Sequence, residues 1–259
     1  MSGVEFCANG ASPAASVVIC TYNGRPRIEG ALSSLRAQDT DEQFEVIVVE
    51  SGDDGCGDYL AEQHPDVRVV RSERRLFPGP ARNRGVAAAR GQVVAFLPDD
   101  GVAEHDWLRR RLAKHRSGYR AVGGAITNAT PESAVGSAGY FLEYSALIPA
   151  EGILREQAVP HSLSYERALL ERLGPYPEDT DTGEDTLMNV RIVEAGVDVG
   201  FDAGIQLGHR NLTRLGPYLR HQYEHGRGLV QCVERHGYGA AVGEPGQGLL
   251  TTLVRTFLV

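Results

Sequence analysis

Apolar positions along this chain follow two rhythms. Ser16-Val17-Val18-Ile19-Cys20, Phe44-Glu45-Val46-Ile47-Val48-Val49, Val67-Arg68-Val69-Val70 and Val93-Val94-Ala95-Phe96-Leu97 are short runs rich in β-branched residues. Such runs predict strands, the continuous ones buried on both faces of a sheet. Between the first two, Ile28, Leu32 and Leu35 recur at i, i+4 and i+7, which predicts a helix. Asp58 to His64 predicts a second helix, and Val86 to Arg90 a small-residue one behind an Arg-Asn-Arg-Gly loop. Strand–helix–strand units at this spacing predict a doubly wound α/β fold with right-handed crossovers.

The second half is less regular. A helix from Trp107 to about Ser117 and a strand over Ala121–Ile126 precede residues 127–160, where Ala, Gly, Ser and Pro abound around an aromatic patch at Tyr140, Phe141 and Tyr144. A stretch this long without periodicity reads as a functional loop or lid. Alternation resumes at His161-Ser162-Leu163-Ser164-Tyr165, then Glu166–Leu173 reads as helix with Gly174 as its stop. Thr186–Ala195 reads as helix and Val197–Phe201 as strand.

The strands end alike. The first runs into Thr21-Tyr22-Asn23-Gly24, the second into Glu50-Ser51-Gly52-Asp53, and the fourth into Pro98-Asp99-Asp100-Gly101. Parallel strands deliver such turns to one carboxyl edge, where open α/β sheets bind ligands. Adjacent carboxylates repel and are best tolerated around a divalent cation. The Tyr22 ring suits stacking on a base, Glu50 suits hydrogen bonds from a base or ribose, and Arg82 and Arg84 suit phosphate oxygens. No GxGxxG and no GxxxxGK[ST] is present, so a metal and arginines, not a glycine cradle, would hold phosphates. A second acidic cluster, Asp179-Thr180-Asp181-Thr182-Gly183-Glu184-Asp185, opens a helix, where exposed N–H groups favour carboxylates.

Composition narrows the classes. Hydrophobic content is 42% with 23% charged residues, ordinary for a globular chain, and a formal charge of −8 argues against a nucleic-acid binder. The basic run from Arg109 to Arg120 reads as the solvated face of a helix. Cys7, Cys20, Cys56 and Cys232 show no metal or disulfide spacing. His221 and His225 sit at i, i+4 without the Glu of HExxH, which reads as a solvated helix face. The start of the chain lacks a secretion signal and no run of about 18 apolar residues occurs, so the expected location is cytoplasmic. The tail from Leu249 to Val259 is apolar and is a candidate for peripheral membrane contact or for docking on the core.

With these pieces in place the chain resembles the family 2 glycosyltransferases of GT-A fold, over about residues 15–235. SVVICTYNG is similar to the family's opening strand and nucleotide loop, EVIVVESGDDG to its second strand and acidic turn, and GPARNRGVAAARGQVVAFLPDD to the block ending in its DxD-type motif. HSLSYERALLERLGPYPEDTDTGEDTLMNVRIVEAG resembles its acceptor-side segment, and GHR its late histidine region. The resemblance implies an α/β GT-A fold, a mostly parallel central sheet flanked by helices with further helices C-terminal. It implies inverting, metal-dependent transfer from a nucleotide-diphosphate sugar (UDP, GDP or dTDP) to a hydroxyl acceptor. On matching positions, Thr21, Tyr22, Asn23, Glu50, Arg82, Arg84 and Asp99 would bind the nucleotide. Asp100, Asp99 and His209 would bind Mg²⁺ or Mn²⁺, and Asp185, with Glu184 beside it, would be the base.

Three positions depart from the family pattern. Glu50 replaces an aspartate, the acidic motif is Pro-Asp-Asp, and His161 stands where a glycine or asparagine is usual. The expected organisation is a leader over 1–14, a transferase domain over 15–236 with donor half 15–126 and acceptor half 127–236, and an apolar tail over 237–259. The competing readings are a non-catalytic sugar-nucleotide-binding module and a sugar nucleotidyltransferase. The second lacks its Gly-rich basic loop here, since the first strand is followed by TYNGRPR.

Overall fold

The computed structural model describes residues 6–7, 12–144 and 163–236. The first half runs β1 (Ala15–Thr21), α1 (Ile28–Arg36), β2 (Phe44–Glu50), α2 (Cys56–Gln63), β3 (Arg68–Arg71), α3 (Pro78–Ala88), β4 (Val93–Phe96), β5 (Gly101–Ala103) and α4 (Trp107–Arg116). The second runs β6 (Ala121–Asn128), α5 (Ala134–Tyr144), β7 (Ser164–Glu166), α6 (Arg167–Leu173), α7 (Glu184–Glu194), β8 (Val199–His209) and α8 (Leu215–His236). Among these residues the strands form one sheet in the order β3-β2-β1-β4-β7-β6-β8-β5. Strands β3, β2, β1 and β4 are parallel, as are β6 and β8; β7 is antiparallel to both neighbours and β5 antiparallel to β8.

The continuous apolar runs are buried on both faces, as their composition requires. Val17, Ile19, Val46 and Val48 face a core shared with Leu32 and Leu35 of α1 and Trp107 and Leu108 of α4. Val18, Ile47, Val49, Val94 and Phe96 face the opposite core, shared with Ala81, Leu169, Leu170, Met188 and Ile192. The parallel strands therefore end together at Thr21, Glu50 and the Pro98 turn.

Several local expectations are corrected. Arg82-Asn83-Arg84-Gly85 is not a loop ahead of a Val86–Arg90 helix but lies inside α3. Pro78 and Pro80 occupy its first turn, where a missing N–H has no intrahelical partner to lose. The strand expected over Val197–Phe201 runs on to His209. Its pairing jumps from Gly124↔Asp202 to Ala125↔Gln206, so residues 203–205 form a bulge that hides the alternation. A Cβ on Gly124 would overlap the Ile205 carbonyl in that bulge.

Within 127–160, β6 reaches Asn128 and α5 carries the aromatic patch. In the expected leader, Phe6 is buried against Phe44 at 5.5 Å between ring centroids, and the Cys7 N–H donates to the Phe44 carbonyl. That apolar ring finds a place on the core, so this part of the leader is anchored. The remaining positions of the leader that lack description, residues 145–162 with His161, and the 237–259 tail lie outside the described residues. No helix among the described residues is long and apolar enough to cross a membrane.

The basic run of α4 is not wholly solvated. Arg109 and Arg110 are exposed, but Arg111 is fully buried, packs over Trp107, and donates to the Val122 carbonyl at 3.0 Å and Ser164 Oγ at 3.2 Å. Beside it His115 Nδ1–H donates to the Tyr119 carbonyl at 2.8 Å and Nε2 meets Ser164 Oγ at 2.9 Å. Every site on the neutral ring is thus satisfied, and burial pushes its pKa down to about 4.

The His115 value in the fold lies below its unfolded value, so the unfolded chain takes up the extra proton first. The stability this neutral ring protects is full above about pH 6.5 and is lost as pH falls toward 4. Urea unfolding should show a loss of about 2 kcal/mol between pH 7 and pH 5 in the native chain that is absent in His115→Gln.

Candidate active site

The carboxyl edge of the parallel strands is tied together by short polar contacts. The Thr21 hydroxyl donates to Asp99 Oδ2 at 2.6 Å, and Arg27, from the first turn before α1, donates to the same oxygen at 2.7 Å. Arg27 also reaches the carbonyls of Tyr22 and Asn23 at 3.3 and 3.4 Å, so one guanidinium closes the β1 loop on the acidic turn. Gly24 is required there, since a Cβ would overlap both Thr21 Oγ1 and Asp99 Oδ2. Asn23 takes a left-handed φ of 49° and accepts the Asp53 N–H at 3.0 Å, joining the β1 and β2 loops. Glu50 is buried and turns Oε1 back to the Gly52 N–H at 2.6 Å. Burial raises the Asp99 pKa, against the lowering by the Arg27 hydrogen bond; the neighbouring Asp100 carboxylate raises it further.

Asp100 points the other way. Strand β5 leaves the acidic turn and pairs with the end of β8, with Gly101 opposite His209 and the Arg210 N–H on the Asp100 carbonyl. This register brings Asp100 Oδ1 to 3.4 Å from His209 Nε2. Asn211 Nδ2 donates to Asn128 Oδ1, Thr130 Oγ1 and the His209 carbonyl, which turns Asn211 Oδ1 toward His209 Nδ1 at 2.9 Å. This network assigns the ring proton to Nδ1. Nε2 then faces the Tyr144 hydroxyl at 3.1 Å and the Asp100 carboxylate at 3.4 Å. A carboxylate oxygen and a bare imidazole nitrogen repel unless a proton or cation lies between them. Asp100 and His209 are an oxygen and a nitrogen donor aimed at one point, with an outer hydrogen bond fixing the ring as metal ligands require.

Among the described residues no three His, Cys, Asp or Glu groups converge as a closed metal centre. Two protein donors with an open side suit a divalent ion that completes its shell from phosphates and water. Asp99 Oδ2 is committed to Thr21 and Arg27.

Glu184 and Asp185 begin α7 behind the left-handed Gly183, and both are buried. Arg82 Nε donates to Glu184 Oε1 at 2.9 Å, and its guanidinium lies 4.7 Å from the Phe96 ring. Burial alone would lower the Arg82 pKa, but the Glu184 carboxylate overcomes it and holds Arg82 above the ordinary value. Arg82 is therefore engaged through Nε with the second acidic cluster. Asp185 Oδ1 accepts the Thr186 N–H at 2.7 Å. Arg84 is exposed on another row of α3 and touches none of these groups.

A cleft of about 320 Å³ lies beside this edge, with Thr21, Tyr22, Arg75 and Phe77 on one wall and Thr182, His221 and His225 on the other. It touches Thr21 and Asp181 but neither Asp99 nor Asp100. The Arg75 guanidinium covers the Tyr22 ring at 4.4 Å and the Phe77 ring at 5.0 Å. The two histidines, expected on a solvated face, turn toward the cleft with ring centroids 4.2 Å apart. Burial and then the neighbouring His225 push the His221 pKa down. Cys20 also lines the cleft, and burial pushes its thiol up to about 12, so it is no nucleophile. Sequence reasoning missed Arg27 and Asn211, and placed Tyr144 only in an aromatic patch. The i, i+4 histidine spacing was the one signal for the α8 wall.

The sequence matches the family model described as Glycosyl transferase family 2 over residues 16–174. Glycosyltransferase AglE of Haloferax volcanii is 24% identical over 225 residues, covering 85% of this chain and 74% of that protein. Several other curated relatives are matched over less than half of their own length, from 27% to 48%. The mannosyltransferase PcManGT from Pyrobaculum calidifontis, solved with GDP-Man and Mn²⁺, superposes with a TM-score of 0.68 at 22% identity, covering 96% of this chain and 71% of its own. Staphylococcus aureus TarS 1–349 with UDP gives 0.57 at 20% identity, covering 73% and 57%. At these identities the two structures establish the shared fold.

The Arg82–Glu184 pair carries a checkable energetic signature. Arg82→Met leaves a buried carboxylate without its cation and should cost about 3–5 kcal/mol in denaturant unfolding. Adding Glu184→Gln should restore most of that loss, because a buried charge is then no longer stranded.

Proposed function

The chain belongs to glycosyl transferase family 2 and is a glycosyltransferase, and we propose that it inverts the anomeric centre of a nucleotide-diphosphate sugar while transferring the sugar to an acceptor hydroxyl with Mg²⁺ or Mn²⁺. The observation that carries this reading is the meeting of Asp100 with His209 Nε2 at the edge that also holds Thr21 and Asp99. Residues 15–126 then form the donor half and 127–236 the acceptor half. The UDP and GDP-Man of the two structural neighbours support a sugar-nucleotide donor without choosing its base.

Asp100 and His209 would hold the ion, which when bound neutralises the diphosphate as it leaves. Asp99, next to Asp100 on the same turn, would contact the ribose or the ion. Tyr22 and Asn23 frame the base region with Glu50 beneath them, while Arg75 already covers one Tyr22 face. Glu184 is engaged by Arg82, so its neighbour Asp185 is the carboxylate assigned to the acceptor. It takes the hydroxyl proton as the acceptor oxygen bonds to the anomeric carbon and the bond to the diphosphate oxygen breaks. Attack from the face opposite the leaving group gives inversion.

Calorimetric titration with UDP, GDP and dTDP tests the donor site. One nucleotide should bind in the presence of Mn²⁺, and both EDTA and Asp100→Ala should weaken it at least about tenfold, roughly 1.4 kcal/mol. Absence of binding under every metal condition would remove the donor-site reading. Asp185→Asn separates chemistry from binding: nucleotide affinity should be retained while kcat falls about 10²–10⁴-fold. Full turnover in that variant would refute its role as base.

A further inference from the structure

Helix α5 is held in place at several points. The Tyr140 hydroxyl donates to the Ile126 carbonyl at 2.9 Å, Gln222 Nε2 of α8 donates to Glu143 Oε1, and the Tyr218 ring lies against Gly139. The last residue of the helix, Tyr144, is buried and leans on the His209 ring, with centroids 4.8 Å apart. Its hydroxyl stands 3.1 Å from His209 Nε2, nearer than Asp100 Oδ1 at 3.4 Å. Burial, and then the Glu143 carboxylate, hold the phenol above its ordinary pKa, so the oxygen keeps its proton. An anchored helix thus presents a hydroxyl to the nitrogen that Asp100 faces.

Imidazole Nε2 has one bonding direction, in the plane of the ring. A hydrogen bond along it excludes an ion on the same nitrogen. Nitrogen and oxygen donors hold small divalent ions at about 2.1 Å. Donors 3.4 Å apart therefore reach a common ion, but only once the hydroxyl has left Nε2. Asn211 already fixes the ring through Nδ1 at 2.9 Å, so the effect of the Tyr144 contact falls on whatever competes for Nε2.

We propose that Tyr144 gates the metal site, its hydroxyl occupying His209 Nε2 and giving way to the ion. This gate rests on the reading of Asp100 and His209 as the ion's ligands. Tyr144 acts through His209 and is a positioning residue: the ion binds at the expense of one hydrogen bond. The hydroxyl that yields sits at the end of a helix joined by Glu143 to Gln222, the neighbour of His221 in the cleft wall. The gate therefore stands where the metal site meets the helix that lines the cleft.

Mn²⁺ binding to the full chain, read as loss of the free-ion EPR signal, tests the gate without a turnover assay. The native chain should bind Mn²⁺, and Asp100→Ala should lose it. Tyr144→Phe keeps the ring and removes the hydroxyl, and should bind Mn²⁺ about three- to tenfold more tightly, the size of one hydrogen bond. A purely structural tyrosine predicts the opposite sign or no change. Tyr144→Phe binding that is equal to or weaker than native, with Asp100→Ala still defective, overturns the gate and leaves the metal reading standing; weaker binding assigns the hydroxyl to the ion as a ligand. If neither the native chain nor Tyr144→Phe binds Mn²⁺, with or without UDP or GDP, the metal reading falls and the gate with it. Tyr144→Leu gives a second route to the same answer should the phenylalanine variant fold poorly, because it too frees Nε2: tighter Mn²⁺ binding supports the gate and unchanged or weaker binding overturns it.

Discussion

Two consecutive carboxylates leave one sheet edge, and the site depends on their being sent in opposite directions. Asp99 is drawn back to β1 by the Thr21 hydroxyl and the Arg27 guanidinium, both on one oxygen. Asp100 is carried forward by the β5–β8 pairing to His209. Separation lowers the repulsion between the two charges and gives each a different environment. Asp99 sits in a half-buried hydrogen-bonded corner, whereas Asp100 is more exposed with His209 Nε2 before it. An Asp-x-Asp motif separates its carboxylates with a spacer. Here the turn itself and the change of strand partner do that work.

The second constraint joins the halves of the chain. Arg82 comes from α3 of the parallel half and Glu184 from the start of α7, 102 residues later, and their ion pair lies under the Phe96 and Tyr176 rings. Asn83, next on α3, adds bonds to the Tyr176 carbonyl and N–H at 2.9 and 2.8 Å. Helix α3 is thus a strut from the strand edge to the second acidic cluster. It fixes where Asp185 stands relative to Asp100 through rigid elements, with Asp185 held at a helix start by its own Thr186 contact.

The parallel half was legible because its signals are local. Continuous β-branched runs and an i, i+4, i+7 helix report burial directly, and the strand ends then report the edge. The acidic pairs were legible as chemistry for the same reason. What escaped depends on partners far away in sequence. Nothing near Arg27 reveals that Asp99 lies beside it, and Asn211 becomes meaningful only when Asn128 and Thr130 are placed against it. A linear reading sets Arg82 beside a ligand edge with no carboxylate in view, and the fold brings Glu184 to it. Two prolines made the start of α3 resemble a loop, and a three-residue bulge broke the alternation of β8 just before His209.

Net charge illustrates the same lesson at larger scale. A value of −8 argues against a surface made for nucleic acid, yet it is an average over faces that meet different surroundings. The acids are concentrated where loops converge and where helices begin, and several are neutralised there by Arg27, Arg82 and Arg227. Subtracting the stretch that forms α8 leaves the remainder more negative still. A helix whose inner histidines line the cleft while its outer leucines face water therefore belongs to two environments at once, and only the fold, which says which row of the helix looks outward, separates them.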